Sequence, residues 1–241
     1  FILIIRQLGY KKLKVEYDVD TFTQLFNLKL LTMLFKIILI LHIVFGATGL
    51  ILGSFILVRK KGDVLHKNLG KIFTLAMILT GLCAFYLSYE HPNLFLFIVG
   101  VFTIYLSFSG YRMIDLKKVH LGQKPKLVDT IATISMLLAS LAFLYFGMRL
   151  LLHSQLFGLV LLLFGTVSLR LCYTDYKAYT GKVTDKMYWL KNHIGRMTGA
   201  YVAALTAFLV VNNTFLPDVL VWSLPGLIAG IFISRTIKKL N

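Results

Sequence analysis

The stretch Ile37–Val58, IILILHIVFGATGLILGSFILV, is an apolar run without a single formal charge. At 1.5 Å per residue such a run crosses the ~30 Å hydrocarbon core of a bilayer as one helix. Hydrocarbon offers no hydrogen-bond partner to a bare backbone, so the run reads as helix and not as an open strand. One residue in it is out of place. His42 shares a helical face with Gly46, Gly49 and Gly53, at steps of three and four residues. An ionisable ring is costly in lipid, so it is expected to point into protein and to have a partner. The glycines are expected to let a second helix approach closely on that side.

The rest of the chain repeats the pattern. Its residues are 58% hydrophobic and only 15% charged, with a mean hydropathy of +0.78. Water-soluble domains carry nearer a quarter charged residues. Apolar runs at about 37–58, 72–89, 93–111, 127–150, 156–172, 197–215 and 216–234 predict an all-α integral membrane bundle of about seven transmembrane helices. Lys and Arg outnumber Asp and Glu by 26 to 10, a net charge of +16. That excess falls in alternate gaps: Arg59 to Lys71, Arg112 to Lys126, Lys177 to Arg196, and Arg235 to Lys239. The positive-inside rule then predicts a multi-pass protein of the bacterial inner membrane with its C-terminus cytoplasmic. It also makes anionic lipid headgroups the expected partner of the basic residues, and nucleic acid not a partner.

Residues 33–241 read as one domain. Residues 1–32 hold Arg6, Lys11, Lys12, Lys14 and Lys29, ahead of a first helix that the charge pattern brings in from outside. Two expectations stand for them: an interfacial amphipathic segment, or an extension upstream of a natural start at Met33. Cys83 and Cys172 lie in apolar runs and suit neither a disulfide framework nor a zinc-finger spacing. Pro225-Gly226 predicts a kink in the seventh helix.

Several helices carry a stripe of small or weakly polar residues on one face. These are Gly70, Thr74, Met77, Gly81, Ala84 and Ser88; Gly100, Thr103, Ser107 and Gly110; Asp129, Thr133, Ser140 and Gly147; Gly158, Gly165, Ser168, Cys172 and Asp175; and Gly195, Gly199, Ala203 and Ala207. The plainer reading is helix packing. The functional one is a polar pathway or cofactor slot along the bundle.

The predicted topology puts His42, His91 and His153 toward the outer side, and His66, His120 and His193 toward the cytoplasm. Imidazole ligates haem iron and divalent metals, and relays protons near neutral pH. His42, His66, His193 and His91 are therefore the candidate cofactor-binding residues, for haem b or a divalent metal. His66 with His193 is the candidate cytoplasmic pair, with Asp63, Asp115, Asp129 and Asp175 on the same side. His120 and His153 read as loop or interfacial residues. No phosphate loop, HExxH or GxSxG motif is present.

HIVFGATGLILGSF in the first helix, LHKNLGK opening the second and NHIGRM opening the sixth together resemble an uncharacterised family of bacterial polytopic membrane proteins, a domain of unknown function. The resemblance covers residues from about 33 to about 212. It implies a helical bundle with no settled activity. His66-Lys67 stands where that family has His-Arg, and Gly195-Arg196 where it has a bulky aromatic before the methionine. A weaker analogy is to bis-histidine haem b membrane cytochromes. Three functions follow as expectations: a redox or cofactor-binding protein, a transporter or channel for protons or a small solute, and a non-catalytic assembly protein.

Overall fold

The computed structural model describes residues 19–240, with side chains from residue 29 onward except 218 and 219. Among them every regular element is helical: α1 Val19–Val58, α2 Val64–Glu90, α3 Leu94–Arg112, α4 Leu127–Leu152, α5 Phe157–Tyr179, α6 Tyr188–Asn212 and α7 Asp218–Lys238, with a 3-10 turn at Val119–Leu121. Each of the seven has a stretch long and apolar enough to cross a membrane, so the protein is an all-α, multi-pass membrane bundle. Part of the 1–32 reading, residues 1–18, lies outside the described residues. Of the described residues, 19–37 belong to a unit of their own, where the side chains of Leu30, Leu31, Met33 and Leu34 are exposed. Residues 38–241 form the other.

Within that second unit α3 is the central helix, touching α2, α4, α5 and α6. Its sequence, LFLFIVGVFTIYLSFSGYR, has no polar face, as a helix surrounded by others requires. Ile98, Tyr105, Leu106 and Ser107 are among its buried residues. On the lipid-facing surfaces Ile51, Leu75, Leu138, Leu163 and Ile228 are exposed instead. Apolar surface needs no cover in hydrocarbon, and what must be hidden is polar.

Small residues set the closest approaches. A Cβ on Gly158 of α5 would lie 2.5 Å from the Gly147 carbonyl oxygen of α4. The Gly81 and Gly100 backbones meet in the same way between α2 and α3. The α1 glycines do what their face promised: Gly46 meets Thr80, Gly49 meets Met77 and Gly53 meets Phe73, descending α2 as α1 ascends. Gly70 and Gly195, also on sequence stripes, face open space. The difference predicts opposite signs for one substitution. Gly158→Ala should destabilise the detergent-purified protein by about 1–3 kcal/mol, because the obstructing atoms are backbone. Gly195→Ala should stabilise it by roughly 0.5–1 kcal/mol through helix propensity alone. Thermal unfolding of both variants checks this.

The helices outrun the apolar runs at the basic end. The fifth continues from 172 to Tyr179, and the sixth begins at Tyr188 instead of 197. The expected gap at 173–196 shrinks to a turn at 180–187. Charged residues that a hydropathy window discards are here helical and paired across the bundle. Pro225 sits inside α7, which continues through it to Lys238.

Candidate functional site

The charged residues that the extra turns add converge one to three turns inside the basic end. Asp175 is on the buried stripe of α5, with Ser168 and Cys172, and is fully buried; Arg196, on α6, is 1% exposed. Arg196 Nη2 donates to Asp175 Oδ1 at 2.6 Å and Nη1 to Oδ2 at 3.2 Å, a bidentate pair. Tyr105 of α3 donates its hydroxyl to Asp175 Oδ2, and Thr133 of α4 donates to the same oxygen at 2.9 Å. Four helices thus meet on one carboxylate. Nη2 also reaches Thr174 Oγ1 at 3.1 Å, and the guanidinium lies 5.6 Å from the centre of the Tyr105 ring. Arg196 Nε is buried without a hydrogen-bond partner. Gly110 of α3 makes room for this helix: a Cβ there would lie 2.9 Å from that of Arg196.

A second pair lies nearer the surface. Arg112, at the end of α3, grips Asp129 in the first turn of α4, Nε to Oδ1 at 2.6 Å and Nη2 to Oδ2 at 2.9 Å. It also pairs with Asp115, which is half exposed. Asp129 additionally accepts the Lys126 N–H at the helix start. Thr133 connects the two pairs, since its hydroxyl also lies 3.1 Å from the Asp129 carbonyl oxygen. The sequence Asp115, Arg112, Asp129, Thr133, Asp175, Arg196 is a ladder of alternating polar groups from the surface to the interior. Away from the basic end it meets the apolar cluster of Phe102, Leu106, Met136 and Cys172, and further along the bundle Ile98, Phe143 and Leu161 pack together.

The candidate histidines do not share one site. His42 Nδ1 is 3.0 Å from the Thr80 carbonyl oxygen. A carbonyl only accepts, so Nδ1 carries the proton. His193 repeats the arrangement with the Gly110 carbonyl at 2.8 Å. His66 opens α2, where its backbone N–H donates to Asp63 at 2.7 Å while its ring Nδ1 is buried without a partner. His42 is level with Thr80, fourteen residues or roughly 21 Å along α2 from His66. His91 caps the far end of α2 and is exposed. Among the described residues no three His, Cys, Asp or Glu side chains converge as metal ligands.

Outside the spans the basic end is tied down by carboxylates. Asp185 accepts from Lys191 and from the Met187 N–H, both at 2.8 Å. The Lys191 hydrogen bond, ahead of burial acting the other way, holds that carboxyl below the ordinary carboxylate range. Asp63 is lowered too, first by the His66 N–H and then, against burial, by Arg59. A depressed carboxyl contributes stability in full above its unfolded value near about 4, and loses it as pH falls through its folded value. Hydrogen exchange should therefore show the starts of α2 and α6 protected at pH 7 and fraying first at about pH 3. Lys61 is lowered as well, by burial and by Arg59.

No family model, no characterised protein and no solved structure matches this chain. The Arg196–Asp175 pair was missed in the sequence because Arg196 reads as one of many basic gap residues. Its signal was Asp175, an acid in line with the small residues of α5, in a chain with only 10 acids.

Proposed function

We propose that this protein is a multi-pass protein of the bacterial inner membrane, C-terminus cytoplasmic, that carries protons across that membrane by way of the interior of the bundle. The carrying observation is the fully buried Asp175, with Thr133 and the Arg112–Asp129 pair standing between it and the half-exposed Asp115 at the basic end. Carboxylates inside spans are expensive and mark ion and proton pathways. Protonation of Asp175 removes the charge that holds Arg196, so its two charge states hold α5 and α6 differently. On the opposite side the packed layer of Ile98, Phe143 and Leu161 is the barrier that transport has to open.

The test is proton uptake by proteoliposomes under a potassium diffusion potential, read with an internal pH dye. Wild type should acidify the lumen. Asp175→Leu combined with Arg196→Met should fold and abolish uptake, because it removes both buried charges together. Folded wild type that conducts no better than empty liposomes would sink the proposal, as would an equally active double variant. In the latter case the pair is an interhelical clamp.

One observation favours the cofactor reading instead. His42 and His193 each spend Nδ1 on a backbone carbonyl, which leaves Nε2 as the free acceptor, the usual arrangement of a metal-ligating histidine. A Soret band or stoichiometric metal that disappears in His193→Ala would establish that reading over proton transfer.

A further inference from the structure

Arg170 lies inside the α5 span, Phe157–Tyr179, and its side chain is exposed. The other arginines at or inside spans are either paired, as Arg112 and Arg196 are, or stand in a last turn, as Arg149 and Arg235 do. Among the described residues Arg170 has no ion pair, hydrogen bond or ring contact. Its face of the helix, at steps of three and four, is Leu159, Leu163, Thr166 and Tyr173, all exposed. α5 cannot turn to hide it. The opposite face is fixed by Gly158 and Gly165 against α4, and by Asp175 on Arg196.

Depth makes this exposure costly. Arg170 is nine residues, roughly 14 Å, from Tyr179 and thirteen, roughly 20 Å, from Phe157. A long side chain can snorkel to the nearer interface, which here is the C-terminal one. Helical side chains ordinarily lean toward the N-terminus, here away from those headgroups, so such a reach works against that lean. A guanidinium held in the span requires a counter-charge at its own depth. A second copy of the chain offers none among the described side chains: Asp129 and Asp175 are internal and already paired, Asp63 and Asp185 are paired in turns outside the helices, Asp115 lies beyond the end of α3, and Glu90 ends α2.

We propose that the α5 face from Leu159 to Tyr173 docks a transmembrane helix of a different protein, and that this helix carries an aspartate or glutamate that pairs with Arg170. Planar guanidinium and carboxylate make two parallel hydrogen bonds, and hydrocarbon strengthens them. Leu159, Leu163 and Thr166 supply the packing surface on the N-terminal side of the pair.

The test uses the full chain in its native membrane, with a photo-crosslinking amino acid at Leu163 or Thr166. The adduct should be a membrane protein crosslinked through a spanning helix that contains Asp or Glu. Arg170→Leu, which faces outward and leaves the fold intact by gel filtration, should cut the adduct at least about tenfold. Arg170→Lys should keep most of it, and exchanging the two charges between the partners should restore it. Adducts with lipid alone, with a second copy, or with a helix lacking a carboxylate would each overturn the proposal. So would an adduct indifferent to Arg170→Leu.

Discussion

Arg196→Ala should cost the bundle about 3–5 kcal/mol, the largest loss expected from any single polar substitution here. The reason is what it leaves behind. Asp175 is fully buried and keeps only the Tyr105 and Thr133 hydroxyls, so a charge remains in the interior with no counter-charge. Asp175→Ala strands Arg196 in the same way. Removing both with Asp175→Leu and Arg196→Met should recover most of the loss, because a buried pair and an apolar pair of similar volume are often close in stability. Unfolding in detergent across the four proteins gives the coupling directly. Additive losses would mean that the pair does not act as a unit.

Phe143→Ala should open the layer that closes the bundle away from the basic end. Phe143 is 4% exposed and packs with Ile98 and Leu161, both almost completely buried. Its truncation leaves a cavity, at about 3 kcal/mol, the lower end of the usual cost since lipid contributes no hydrophobic term. The functional effect is the more telling one. The next inward polar groups are Ser140, bonded to the Gly165 carbonyl at 3.1 Å, and Ser168, whose hydroxyl is buried without a partner. Water admitted past residue 143 can reach these groups, so proton leak in proteoliposomes should rise well above wild type. A leak unchanged in a folded Phe143→Ala variant would show that the seal lies elsewhere.

The two substitutions divide the bundle by what was legible in its sequence. The apolar runs located every span, since hydropathy over about 20 residues is a local property that lipid reads directly. The stripes on α3, α4 and α5 identified their inward faces: Gly100, Thr103, Ser107, Ser140, Gly147, Gly165 and Ser168 are all buried. The face of His42 was legible for the same reason. The α6 stripe was less so, because Gly195 faces open space while Arg196 beside it is buried. A lysine- and arginine-rich turn hides one interior arginine among many surface ones.

The sequence by itself therefore determined the class of the protein, the places where its helices cross the membrane and most of the faces they turn inward. All of these follow from residue type and helical period along one strand of chain. Only the tertiary structure decided what those faces meet. His42 meets the Thr80 carbonyl rather than another histidine, and Asp175 meets Arg196 across a turn that hydropathy had assigned to water. Pairing between helices depends on rotation and depth together, and no single helix carries that information.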